Sequence, residues 1–178
     1  MYPVSRLIST LIRARFSAPL SADQTSEIRF RVRPWDLDMF MEMNNGRVLT
    51  LFDLGRFDLS VRNGLMRLLR KHRWGLVVAG STVLYRKRIR LFDPVSLQTR
   101  LAGLDERWVY IEQTMSVRGT PANSVLLRTA VTEGGRILPT ERLIAELGYQ
   151  DRPLPQLNHW QQAWIDSERL RPWPPQQD

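Results

Sequence analysis

The stretch that decides the fold runs Arg33-Pro34-Trp35-Asp36-Leu37-Asp38-Met39-Phe40-Met41-Glu42-Met43-Asn44-Asn45-Gly46-Arg47 and continues to Gly64. Asp36 and Asp38 stand two apart, just after a predicted strand. Asn44 and Asn45 follow, at the start of an apolar-periodic segment. Either asparagine can cap a helix by accepting a hydrogen bond from its free backbone N–H groups. Val48, Phe52, Gly55 and Leu59 then share one helical stripe, at the spacing of a buried face. Glycine weakens a helix, so Gly55 on that stripe predicts close packing against a sheet. Asn63-Gly64 supplies the stop.

A carboxylate beside a helix N-terminus is a chemical arrangement as well as a structural one. The exposed N–H groups and the positive end of the helix dipole can hold an oxyanion. The carboxylate can serve as a general base on water or as a nucleophile on a carbonyl carbon. On spacing alone, loop and capping roles for Asp36 and Asp38 compete with this reading and are the commoner use of such residues.

Asp36-Leu37-Asp38, a spacer and Asn44-Asn45 before a long helix resemble the signature of hotdog-fold acyl-CoA thioesterases of the 4-hydroxybenzoyl-CoA thioesterase type. The closer likeness is to a thioesterase-like subfamily whose stretch runs Asp-Leu-Asp, a hydrophobic spacer, then His-Met-Asn-Asn-x-Arg-Tyr. Met43, Asn44, Asn45 and Arg47 match that pattern. Glu42 stands where the family usually has His, and Val48 where it usually has Tyr. The resemblance, over roughly residues 27–147, implies Asp38 as the catalytic carboxylate and Asp36 as a residue that orients the loop. It also implies helix-start amides near Asn45 and Gly46 as the cradle of the thioester oxygen, with Asn44 or Asn45 positioning that end. Asp36, Glu42 and Asn44 are candidates for a catalytic or tuning part, Glu42 because a like charge near Asp38 raises a carboxyl pKa. The implied substrate is an acyl-CoA, and the implied assembly is a homodimer, or dimers paired into a tetramer, with sites between subunits. The alternative, motivated by Glu42 and Val48, is a degenerate hotdog that binds acyl groups or scaffolds at a membrane surface without turnover.

Element order supports the same fold independently of the motif. Ile28 to Val32 alternates apolar and basic, as a half-buried strand does. After the long helix, Leu65 to Arg70 predicts one or two further helical turns. Leu76–Arg90, then strands punctuated by Phe92-Asp93-Pro94, Gly103, Arg118-Gly119-Thr120-Pro121 and Gly134-Gly135, predict four meandering strands. The expected class is α+β: a hotdog, with an antiparallel five-stranded sheet wrapped around a long central helix. Asp58 and Arg62 are spaced for an i,i+4 pair on the helix exterior. Arg86, Arg88 and Arg90 fall on one face of their predicted strand by the period of two. As a cluster they are read as contacts to coenzyme A phosphates. Thr140 to Leu147 predicts a short helix ended by Gly148, and Leu157, Trp160 and Trp164 predict a helix docked on the domain. Residues 172–178 read as an extended tail.

The expected organisation is a basic amphipathic segment and linker over 1–26, the hotdog domain over 27–148, and a Pro/Trp-rich extension over 149–178. Residues 1–20 hold Arg6, Arg13 and Arg15 and no acid, with Val4, Leu7, Ile8, Leu11 and Ile12 on one helical face. Two readings stand: a helix lying on an anionic membrane, giving peripheral contact, or a helix packed on its own domain or a partner.

Composition narrows the rest. The chain has 178 residues, 43% of them hydrophobic, with no apolar run long enough to predict a membrane span. Cysteine is absent, which excludes disulfides, thiol nucleophiles and cysteine-ligated metals. A reducing, cytoplasmic setting is expected, with membrane association if residues 1–20 bind lipid. His72 and His159 have no second ligand at metal spacing, so no metal and no cofactor are expected. The net charge of +8 is carried almost wholly by arginine. These arginines are dispersed and accompany no zinc-finger or RNA-binding aromatic motif, so nucleic acid is not an expected partner.

Overall fold

The computed structural model describes residues 2–172 and Pro174. Of the tail expected over 172–178, Trp173 and residues 175–178 lie outside the described residues. The chain opens with helix α1, Val4–Phe16, and strand β1, Ser26–Arg31. A single 3-10 turn, Pro34–Asp36, leads to helices α2, Asn45–Arg62, and α3, Leu65–His72. Strands β2, Gly75–Tyr85, β3, Pro94–Leu104, β4, Val109–Val117, and β5, Thr120–Glu133, follow. The short β6, Arg136–Ile137, and helices α4, Thr140–Leu147, and α5, His159–Leu170, complete the order.

All strand pairs are antiparallel, in the order β1-β3-β4-β5-β2, and β6 adds to β5. The five strands on that path are the sheet expected of a hotdog, and α2 is the central helix. Val48, Phe52, Gly55 and Leu59 are all buried, as their spacing requires. Val48 and Phe52 meet Ile28, Val95, Leu97, Met115, Val125 and Leu127 from the sheet in one core. Gly64, at φ +87°, turns the chain from α2 into α3 in a conformation few other residues accept.

Gly55 explains why α2 can lie so close to the sheet. A Cβ there would come within 2.2 Å of Thr99 Oγ1 and 2.9 Å of Gln113 Nε2. Those atoms cannot retreat freely. The buried Gln113 amide donates to Phe52 O and to Thr99 Oγ1, each at 2.8 Å, and accepts from Arg56 Nη1 at 2.8 Å. Burial in this region pulls the Arg56 guanidinium down to about 10. Gly55→Ala should gain about 1 kcal/mol of helix propensity and lose more through overpacking, which costs about 1–3 kcal/mol in a filled core. We expect a net fall in chemical-denaturation stability, and an unchanged or raised midpoint would contradict this packing.

Three expectations need correction. Asp58 and Arg62 pair at 3.3 Å, but Asp58 is buried rather than exterior. Ser26 Oγ donates to its Oδ2 at 2.6 Å, so this carboxylate joins α2 to β1. Gly103 is not a turn. It sits inside β3 beside a register shift, and Leu157 packs where a Cβ would be, 2.7 Å from Leu157 Cγ. The stretch Leu76–Arg90 is not one strand, because pairing stops at Tyr85. The N–H groups of Arg86 and Lys87 both donate to Ala122 O, which ends the ladder, and the chain then swings to α2. Arg86, Arg88 and Arg90 therefore do not share a strand face.

The flanking helices pack on this body. Leu7 of α1 reaches the main core. Asn158 and Gln161 cap α5 reciprocally, at 3.1 and 3.0 Å. Leu157, Trp164 and Ile165 cover Ala102, Tyr110 and Leu126 on the other face of the sheet. Trp160 departs from the docked face and stays about half exposed.

Candidate active site

The loop before α2 is held from both ends. Asp36 is fully buried: it accepts from Arg33 N at 2.9 Å and pairs with Arg6 Nη2 at 2.8 Å and Arg47 Nε at 3.2 Å. Arg6 Nη2 also donates to Arg31 O at 2.8 Å, so α1 is clamped to the strand that feeds this loop. Asn44 N donates to Asp36 O at 2.9 Å, which closes the loop on itself. Asp36 is thus placed to hold geometry rather than to meet solvent or substrate.

Residues 37–43 form a tight hairpin, bridged by Leu37 and Met43, with Met41 at φ +60°. Asp38 stands at its base, half-buried. Its Oδ1 accepts from Phe40 N at 2.8 Å and Glu42 N at 3.4 Å. Met39, Phe40 and Met41 form an exposed apolar tip. Of the two asparagines, Asn44 is the cap: its Oδ1 accepts from Arg47 N at 3.2 Å. Asn45 and Gly46 begin the helix and are both exposed, while the Arg47 amide is taken by the cap.

The hairpin, the start of α2 and the chain beyond β2 enclose a shallow groove. Met43 N donates to Ile89 O at 2.8 Å and ties the two walls together. Glu42, Asn45, Arg86, Arg88 and Asn123 line it. Glu42 Oε1 lies 3.0 Å from Arg88 Nε, so the carboxylate in the family's histidine position is turned to a cation. Asp38 and Arg90 do not line the groove. Asp38 is one hairpin rung away, with its N–H donating to Glu42 O at 2.8 Å. Arg90 N donates to Asp93 Oδ2 instead. Val48, in the family's tyrosine position, is buried in the core and offers the groove nothing.

Asn123 is the residue that sequence reasoning missed. It is only 5% exposed, and its Oδ1 has no hydrogen-bond partner among the described residues. A buried amide oxygen left bare is costly, and Asn123 belongs to the wall that Glu42, Asn45 and Arg86 also line. Together with Arg86 it also lines a second groove, which runs across β2, β4 and β5 to Trp160. The sequence signal was a polar residue at an inward strand position two after Pro121.

An apolar cavity of about 70 Å³ lies elsewhere, among Leu59, Leu101, Ile111 and Val131. Leu59 is roughly 20 Å along α2 from Asn45 at 1.5 Å per residue, so this cavity is separate from the groove. Among the described residues, no group of three or more His, Asp or Glu side chains could hold a metal ion.

Residues 32–175 match the family model of the thioesterase-like superfamily. The chain belongs to that superfamily. A probable thioesterase, YbaW of Escherichia coli, superposes with a TM-score of 0.64 at 20% identity, over 70% of this chain and 96% of that one. A thioesterase of Thermus thermophilus, crystallised with coenzyme A and Zn, gives 0.63 at 29% identity, over 76% and 100%. The fold is therefore the hotdog. Among sequences, Protein THEM6 of Xenopus laevis is 38% identical over 82 residues, 46% of this chain and 40% of that protein. Protein THEM6 of Drosophila melanogaster is 34% identical over 110 residues, 61% of this chain and 57% of that protein. The chain spans about half the length of these relatives.

Proposed function

We propose that the protein hydrolyses an acyl-CoA thioester, releasing a carboxylic acid and coenzyme A. The observation that carries this reading is the groove at the start of α2. There, Asn45 at the start of α2, the carboxylate of Glu42 and the basic wall of Arg86 and Arg88 meet, with Asp38 one hairpin rung away. Helix-start amides supply donors for the oxygen that becomes negative as the thioester is attacked. Asp38 supplies the base for water, or the nucleophile. The arginines match the phosphates of a coenzyme A moiety. That structures of similar proteins were obtained with coenzyme A supports this ligand class.

The reading includes a second copy of the chain. β2 is an edge of the sheet, and Leu76, Val77, Val78, Leu84 and Tyr85 are exposed along it. A long apolar edge invites pairing with another strand. Tyr85 and Arg86, where β2 ends, also line the groove, so a copy seated on β2 would wall it. We expect light scattering at micromolar protein to give twice the chain mass, or four times it. A monomer mass would remove the two-copy site.

The experiment is thiol release from short, long and aromatic acyl-CoA thioesters by the purified protein. Turnover of at least one class is expected. The Glu42–Arg88 pair and the buried Val48 favour a second reading, acyl-CoA binding without turnover. Tight binding with no thiol release across the panel would select it.

A further inference from the structure

Helix α1 has two faces that do different things. Its inner face is spent on the domain: Arg6, Thr10 and Ala14 are buried, and Leu7 reaches the core. Its outer face is apolar and open. Val4, Ile8, Ile12 and Phe16 recur every four residues and are 56%, 53%, 56% and 83% exposed. Four large apolar side chains in one stripe are unusual on a free surface. From Val4 to Phe16 the stripe runs about 18 Å at the helical rise.

The surroundings of the stripe say what covers it. Residues 1–20 contain no acid. Arg13 and Arg15 are exposed in the last turn of α1. Beside Ile12, a groove between α1 and the α2–α3 corner is bordered by Arg15, Arg67 and Arg70 around Leu11 and Met66. An apolar stripe rimmed by cations fits a surface that is oily within and anionic at its edge.

We propose that α1 docks the protein flat on an anionic lipid bilayer, with Val4, Ile8, Ile12 and Phe16 entering the acyl region and the arginines meeting headgroup phosphates. Because Arg6 of the same helix holds Asp36, the bilayer-facing helix is wired directly to the loop that carries Asp38.

The test is co-sedimentation of the full chain with vesicles of phosphatidylglycerol and of phosphatidylcholine. Truncating α1 would strip Arg6 from Asp36 and Leu7 from the core, so outward point variants are the instrument. The wild type should bind phosphatidylglycerol vesicles and bind phosphatidylcholine at least tenfold less, with binding falling as salt rises. Ile8→Glu with Phe16→Glu should cut the anionic binding tenfold or more while circular dichroism is unchanged. Arg13→Ala with Arg15→Ala leaves the apolar stripe intact and should weaken binding several-fold, which covers the case in which the glutamate variant misfolds. No binding to anionic vesicles by the wild type, or equal binding by folded variants of both kinds, would overturn the proposal. So would a glutamate variant whose only change is a lower oligomer mass, because the stripe would then be a contact between copies.

Discussion

Asp38→Asn should lower turnover of acyl-CoA by about a hundredfold or more, the scale of losing a general base, while leaving substrate binding largely intact. The amide keeps the shape of the carboxylate, and its oxygen can still accept from Phe40 N and Glu42 N, which Asp38 Oδ1 now does. The hairpin should therefore survive, and only basicity and nucleophilicity are removed. The measurement is kcat against KM by thiol release, with circular dichroism on the same sample. A folded variant with wild-type turnover would remove Asp38 from the chemistry. Glu42, which lines the groove, would then be the carboxylate to test next.

Asp36→Ala should be the most destabilising single change in the loop, costing about 3–5 kcal/mol, the range for breaking a buried ion pair by removing one partner. It takes the carboxylate from Arg6 and Arg47 and the acceptor from Arg33 N at once. Arg6 is itself buried, so its charge is left in a place water reaches poorly. The clamp on α1 goes with it. Asp36→Asn retains an acceptor for Arg33 N and should cost less, about 1.5–3 kcal/mol for the weakened charged hydrogen bonds. Urea unfolding of both variants checks the order. A loss below about 1 kcal/mol for the alanine variant would show that the clamp is not what holds the loop.

Much of the fold was written in local pattern. The stripe Val48, Phe52, Gly55, Leu59 revealed the central helix and its buried face, because helical periodicity depends only on neighbours along the chain. Gly55 announced the close sheet before Thr99 or Gln113 could be placed. Gly148 ended α4 where expected, at φ +69°. What was illegible depends on partners far away in sequence. Asp58 looked like a surface residue because nothing near it shows that Ser26 lies against it. Gly103 looked like a turn because Leu157 arrives from much later in the chain. Arg86, Arg88 and Arg90 kept a strand's alternation, but Ala122 O ended the pairing first. Arg6 stood with Arg13 and Arg15 as one basic residue of residues 1–20, and only the fold sets it against Asp36. In the candidate site, the carboxylate loop and the helix cap were readable from the motif, whereas Asn123 was not, since its place on the groove wall depends on Glu42, Asn45 and Arg86 from distant parts of the chain.

In the proposed hydrolysis, water is the acyl acceptor. The most direct measurement is acyl-CoA turnover in heavy-oxygen water, with the released acid weighed by mass spectrometry and the free thiol counted in parallel. Acid and thiol are expected in equal amounts, with solvent oxygen in the carboxylate of the acid. Thiol released without labelled acid, or acyl-CoA bound and left intact, would contradict hydrolysis.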